Sequence, residues 1–413
     1  MLEIAPFAAI RYDRAKLGGD LSSVLAPPYD VLGQDDKDAL LARSDRNIVA
    51  IDLPHLPPKS AGPPEAYDRS ARLLDAWLAE GTLVRDAAPA IYVYHQGFEH
   101  EGRRFTRRMF IACVRLVPFG KGAILPHEQT FGGPKEDRLA LMKATRCNLS
   151  PVFGLYSDPD DSVGSLFTAA AHRVVDAYGV CDGVENWLWV MSDRQVIGRV
   201  AAAMADKSAY IADGHHRYET ALAYRDWMAA GRIAKDHPAG YVMFVLARME
   251  DPGCLILPYN RVLAGVDLRT VLDVWRPATE AAPRDRADLV VFDGATEEEQ
   301  PLRFTRRDVL TELEPRQSPA WRALDAAYLH RYLIDELLAR KVPDGAGEAV
   351  RYEKSAAEAR KTASRERGVA LLLNATPMAH LRAVSEVGGV MPQKSTYFYP
   401  KLATGLTINL LAQ

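Results

Sequence analysis

Apolar positions recur in this chain with two periods, and the period changes every ten to twenty residues. In residues 65–78, Tyr67, Leu73, Leu74, Trp77 and Leu78 fall at spacings near three and four, which predicts a helix starting at about Glu65 and stopping at Gly81. "AIYVYHQGFEHEGRRFTRRMFIACVRLVPF" instead reads as two strands around a hairpin, with Gly102 in its turn. "KEDRLALMKAT" predicts a helix and "PVFGLY" a strand. A helix over Leu166 to Tyr178, the strand "NWLWVMS" and a helix from Arg194 to about Asp206 are expected next, followed by the short buried strand "AYIA" and a helix reaching Ala230. "YVMFVLARM" and "CLILPYNRVL" are both β-like and are expected to complete one central sheet.

Past residue 265 the pattern alternates again. "LVVFDG" and "LRFTR" are strand-like, "AWRALDAAYLHRYLIDELLA" predicts one amphipathic helix, and a charged helix near Glu353 to Arg367 precedes the buried strand "GVALLLNATP". Strands separated by helices imply α/β to α+β layering around a central mixed sheet, with flanking N- and C-terminal segments. Prolines punctuate the start: "LAPPYDVL" and "LPHLPPKSAGPP" are extended or turn segments.

Composition narrows this picture. The 413 residues carry 51 basic and 54 acidic side chains, a net charge of −3, so no field invites nucleic acid or an anionic membrane. The four cysteines form no C-x-x-C pair, which suits a reducing compartment. No run of ~18 apolar residues is present, and the first residues are charged too soon for a signal peptide. The expectation is a cytoplasmic globular protein with no membrane partner.

The densest chemistry lies in "AYIADGHHRYETALAY", Ala209 to Tyr224. A strand, Asp213, Gly214 and then a helix starting near His215 leave backbone N–H groups at a helix N-terminus, a ready anion site. Gly214 permits φ > 0 or close approach of a phosphate. Arg217 supplies a planar donor, and His215 and His216 donate in either charge state. Asp213 as an ordinary N-cap is the plainer alternative. A metal reading pairs His216 with Glu219, and His127 with Glu128, but H-E-x-x-H is absent and adjacent histidines diverge on a helix. Phosphate binding fits better than a permanent metal, and magnesium would need only one or two carboxylates.

Two further clusters accompany the turn. "PHEQTFGGPKEDRL" gathers His127, Glu128, Thr130, Lys135, Asp137 and Arg138; a loop carboxylate beside a histidine can act as general base, and Lys135 and Arg138 can neutralise phosphoryl charge. It reads equally as a solvated loop leading into a helix. "MPQKSTYFYPK" holds Lys394, Ser395, Thr396 and Lys401 among three aromatics, either lining a pocket or packed on the core.

Taken in order, "APPYDVL", "LPHEQT…PKEDRL", "NLSPVFGLY", "YIADGHHRYETAL", "LPYNRVL" and "MPQKSTYFYPKLATGL" resemble the family catalogued as domain of unknown function one-thousand-fifteen, over nearly the whole chain except residues 265–345. A more distant likeness joins the His-Glu pair and the Asp-Gly-His-His-Arg turn to the free-serine kinases of the ParB and sulfiredoxin-like superfamily. That likeness implies Glu128 as the activating base with His127 beside it. It implies Gly214, His215, His216 and Arg217 as the phosphate cradle, with Asp213 positioning substrate or holding magnesium. Lys135, Arg138 and Lys394 would assist with the nucleotide. About eighty-five residues separate Glu128 from Asp213, more than in those kinases.

The resemblance divides the chain into an N-terminal segment 1–90, a ParB/sulfiredoxin-like nucleotide-binding core 91–264 and a C-terminal α/β segment 265–413 returning to the site. The implied activity is a phosphotransferase using ATP or ADP with magnesium on a small hydroxyl-bearing metabolite, free serine first. A non-catalytic nucleotide-binding regulator of the ParB-like type and a metal-dependent hydrolase are the alternatives.

Overall fold

The hairpin expected from residues 90–119 forms the middle of the larger sheet. The computed structural model describes every residue except Lys59, 129–131, 230–232, 342–349 and Gln413, so Thr130 lies outside the described residues. Two compact units are present. Unit 1 is Met1–Pro126, Thr130–Cys254 and Pro400–Gln413, and unit 2 is His127–Gln129 with Leu255–Tyr399.

The main sheet of unit 1 is built from β1 (Ile4–Ala5), β2 (Ile91–His100), β3 (Arg103–Arg115), β4 (Ile124–Leu125), β5 (Val152–Tyr156), β6 (Ala177–Cys181), β7 (Val184–Met191), β8 (Ala209–Asp213) and β9 (Tyr241–Arg248). Their order across the sheet is β4-β8-β5-β9-β3-β2-β7-β6, with β1 on β3. The sheet is mixed, as the alternating pattern implies: β8 runs parallel to β4 and β9 parallel to β5, the other pairs being antiparallel. Glu101 and Gly102 both take positive φ, 49° and 72°, the turn that matches strand twist in a two-residue hairpin.

Four helices of this unit matter for the site: α1 (Pro64–Ala79), α2 (Gly132–Thr145), α3 (Arg194–Met204) and α4 (His215–Ala229). Proline opens α1, and Tyr67, Leu74 and Trp77 form its buried face. The Asp193 carboxylate accepts from the N–H groups of Gln195 and Val196 to start α3, which buries Ile197, Val200 and Met204. Tyr218 and Ala221 of α4 join Phe244, Leu246 and Val152 in the main core.

In unit 2 lie β10 (Leu255–Leu257), β11 (Asn260–Leu263), β12 (Thr279–Ala281), β13 (Leu289–Asp293), β14 (Glu299–Phe304), β15 (Val350–Glu353), β16 (Val369–Leu373) and β17 (Tyr397–Tyr399). Six of them form an antiparallel sheet in the order β12-β14-β13-β16-β11-β15, while β10 and β17 pair separately. The helix Ala356–Glu366 covers one face of this six-stranded sheet through Ala359 and Ala363.

Three sequence expectations are corrected. The helix expected over Leu166–Tyr178 stops at Ala171, and Ala177–Cys181 is strand β6. It pairs with β7, and its Gly179 lies so close to the backbone of Leu21 and Ser22 that a Cβ would come within 3.0 Å, so strand pairing and this close approach override helical spacing. "CLILPYNRVL" does not extend the central sheet: Pro258, which has no N–H to give a ladder, separates β10 from β11 and both belong to unit 2. The single helix expected at 320–339 is broken at Leu324, which is extended (φ −72°, ψ 129°). Beyond it, Tyr328–Leu338 is wound as a π-helix, ending with Ala339 N–H donating to Ile334 O at 2.9 Å.

Candidate functional site

Strand β8 reaches the site through a register shift between Ile211 and Asp213 against β5. Gly214 then takes φ +90°, and Tyr218 N–H donates to Gly214 O at 3.0 Å to close the first turn of α4. The N–H groups of the first turn have no acceptor within the helix itself. A Cβ on Gly214 would stand 2.8 Å from Nε of Arg217, so glycine is required both for its backbone angle and for its lack of bulk.

Asp213 does not act as a simple N-cap. Its Oδ2 accepts from Nη2 of Arg217 at 2.6 Å and its Oδ1 from Nζ of Lys401 at 2.9 Å. Arg217 also donates through Nη1 to the carbonyl of Pro151, and only 7% of it is exposed. Burial pushes the Asp213 carboxyl up, but Lys401 and Arg217 outweigh it and hold the group well below the usual carboxylate range. The turn is therefore built on a permanently ionised aspartate flanked by two cations.

His215, the first residue of α4, is buried and His216 half-buried. Burial lowers the proton affinity of His216 despite nearby Glu219, which keeps its imidazole neutral at pH 7. Lys135 of α2 meets Glu219 of α4 at 2.8 Å, tying the two helices together beside the turn.

Beneath them lies a polar network. Asp137, fully buried, accepts from the Tyr67 hydroxyl at 2.8 Å, bonds His55 Nε2 at 2.5 Å and accepts from Nε of Arg138 at 2.6 Å. Arg138 also donates to the Asp52 carbonyl at 2.6 Å and lies over the Tyr29 ring at 4.0 Å. The Asp52 carboxylate accepts from Ser150 Oγ at 2.7 Å. A cavity of about 30 Å³, enough for one water, is walled by Tyr29, Asp52, Arg138, Arg217 and Thr220. The Thr220 hydroxyl there is buried and has no partner.

His127 and Glu128 belong to unit 2. His127 is buried; its Nε2 lies 3.0 Å from Thr396 Oγ1, its carbonyl accepts from Met391 N–H at 2.7 Å, and its ring meets Phe398 edge-on at 6.2 Å between centroids. Glu128 is half-buried. Lys394, with φ +55°, places its ammonium 5.1 Å from the centre of the Tyr259 ring.

The five residues Asp213 to Arg217 thus stand together with Lys135 in unit 1, with Arg138 in the network below. His127, Glu128 and Lys394 stand in unit 2. Sequence reasoning missed the partnership of Lys401 with Asp213 and the roles of Tyr29, Asp52, His55 and Tyr67. Lys401, Tyr29 and His55 lie within segments whose composition already stood out, but nothing local to His55 or Tyr67 points to Asp137.

Asp213 fits a resident divalent cation poorly, because both oxygens already carry a positively charged side chain that would repel it. Among the described residues no group of three His, Cys, Asp or Glu is arranged to hold a metal ion. Nor is any described helix long and apolar enough to cross a membrane.

The profile of the family described as "Protein of unknown function (DUF1015)" matches residues 4–327. No curated protein matches the chain. Among solved structures, SbnI with a C-terminal truncation from Staphylococcus aureus is similar at 15% identity and a TM-score of 0.38, over 73% of this chain and 89% of that one. A free serine kinase in complex with AMP is similar at 14% identity and 0.34, over 69% and 88%. A conserved hypothetical protein from Pyrococcus furiosus is similar at 13% and 0.33, over 70% and 92%. At such identities and scores these likenesses carry nothing into the reading of the site.

Proposed function

The chain belongs to the DUF1015 family, and we propose that it is a nucleotide-dependent phosphotransferase acting on a small hydroxyl-bearing metabolite, with free serine the first candidate. The observation that carries this reading is the turn at Asp213–Arg217. A 15-residue helix begins directly after a glycine at φ +90°, and an ionised Asp213 clamped by Arg217 and Lys401 holds the turn in place. Such a helix N-terminus favours phosphate oxygens through aligned N–H groups and its dipole.

In this reading Gly214, His215 and His216 cradle the phosphates of ATP or ADP. Arg217 and Asp213 keep the cradle rigid, and Lys135 neutralises phosphate charge from α2. Arg138, whose guanidinium lies over the Tyr29 ring, assists from the wall beside the turn. Magnesium would be held by the nucleotide's own phosphates, since Asp213 is already paired, and would supply charge neutralisation there. Glu128 takes the acceptor's hydroxyl proton while that oxygen attacks the terminal phosphorus. The new O–P bond forms as the bridging P–O bond breaks, and the shortened nucleotide leaves with the electron pair. His127, fixed by Thr396 and Met391, positions Glu128.

The test is nucleotide consumption by the purified protein with ATP or ADP, magnesium and a panel of hydroxy-amino acids. The expected result is turnover that Glu128→Gln abolishes while nucleotide affinity, read by calorimetry, is kept. Neither consumption nor binding would overturn the reading. Binding without turnover, indifferent to Glu128→Gln, would instead make the protein a nucleotide-responsive regulator.

A further inference from the structure

A buried arginine in unit 2 has no counter-charge among the described residues. Arg261, 1% exposed, donates from Nε to His330 Nε2 at 3.0 Å, from Nη2 to Lys394 O at 3.0 Å and from Nη1 to the carbonyl of Tyr259. All three acceptors are neutral. His330 must accept at Nε2, and burial together with Arg261 holds its pKa down to about 3. Among the described residues no carboxylate lies within ion-pair distance of Arg261. Burial lowers its own pKa only to about 10, so the guanidinium remains charged. A guanidinium has five N–H donors and three are used. Burying an unpaired cation is costly, and such cations ordinarily have an anion beside them.

Arg261 lines a cavity of about 210 Å³, whose wall also includes Asn374, Thr376 and Ser395. The acid on that wall, Asp325, is already held by Arg307 at 2.7 Å and contributes no free charge. At ~30 Å³ per water the space equals about seven waters. That suits a molecule of amino-acid size and is below the ~300 Å³ where pockets for larger ligands begin. A planar guanidinium fork matches the two coplanar oxygens of a carboxylate. The wall also adjoins the His127 element: Ser395 precedes Thr396, whose hydroxyl is the partner of His127.

We infer that this cavity is a binding site for a small carboxylate-bearing metabolite, with the carboxylate held by Arg261. As the acceptor subsite of the phosphotransferase it rests on that reading; as an anion site it stands alone.

The test titrates the full-length protein by calorimetry with acetate, L-lactate, L-serine, the uncharged-end analogue L-serinamide and inorganic phosphate. The expected result is that at least one carboxylate binds, and that serinamide binds at least about tenfold more weakly than serine, the loss of a charge-assisted pair. Arg261→Met is expected to remove binding. Ala375→Trp, at an exposed position on the cavity's wall, is expected to do the same by filling the space without touching the buried arginine. That second variant decides the matter should Arg261→Met not fold. Binding by phosphate alone, binding unchanged in Ala375→Trp, or no carboxylate bound at all would overturn the assignment. Carboxylate binding without nucleotide consumption would keep the subsite and remove the kinase reading. Turnover on serine with unchanged KM in folded Arg261→Met would do the reverse.

Discussion

Nζ of Lys401 and Oδ1 of Asp213 stand 2.9 Å apart, although 188 residues separate them in the chain. The contact places an ammonium opposite the guanidinium of Arg217, so the aspartate at the end of β8 is held from both sides. Lys401→Met should leave the fold intact but loosen the turn. The expected cost is ~1–3 kcal/mol, the worth of a largely buried charge-assisted hydrogen bond, read from urea denaturation. Nucleotide affinity should fall with it.

The pH dependence of this pair has a definite sign. The folded-state pKa of Asp213 is depressed, so its contribution is complete above the unfolded value of about 4 and is lost as pH falls below that. The stability difference between the native protein and Asp213→Asn should be flat from pH 7 to about 5 and shrink below about 4. A difference that already shrinks between pH 7 and 5 would show that the carboxylate is not held as described.

Gly214→Ala meets two obstacles at once, a φ of +90° and a Cβ placed 2.8 Å from the Arg217 side chain. A destabilisation of ~1–3 kcal/mol follows from the backbone angle alone. Displacement of Arg217 should also expose Asp213. Wild-type thermal stability in this variant would contradict the geometry of the turn.

Two half-buried histidines make a separate prediction. Burial, with Arg108 adding to it, holds the pKa of His95 down to about 4, and His330 sits near 3. Groups with lowered folded-state values take up protons on unfolding, so acidification from about 6.5 towards 4 should destabilise each unit. In an NMR titration the C–H signals of these two rings should stay still above pH 5, and movement near pH 6–7 would contradict their burial.

Thr396→Val removes the partner of His127 Nε2 and changes little else in the packing. If His127 positions Glu128, kcat for the phosphotransferase should drop several-fold with nucleotide affinity unchanged. An unaltered kcat would confine His127 to a structural role.

What the sequence disclosed was local. The turn at 209–224 could be read because strand, glycine and helix are contiguous there, and the hairpin 91–115 because its alternation and Glu101–Gly102 turn lie side by side. Contacts made by distant residues could not be read. Nothing near Asp137 announces Tyr67 or His55, and nothing near Asp213 announces Lys401. Pro258 was visible as a residue, but that it parts two strands of a different sheet depends on partners more than a hundred residues away at Tyr397–Tyr399. The π-helical winding of Tyr328–Leu338 keeps an amphipathic face, and so resembles an ordinary helix in sequence.

Unit 1 is interrupted: after Cys254 the chain builds most of unit 2 before Pro400–Gln413 returns to finish what Met1 began. During synthesis, therefore, β8 and α4 leave the ribosome long before Lys401 does, and Asp213 waits through nearly two hundred residues of translation for its second cation. The strand pair Cys147–Asn148 with Asn409–Leu410 waits longer still. The turn is thus made midway through synthesis and completed only near its end, so a nascent chain cannot assemble it until unit 2 has emerged.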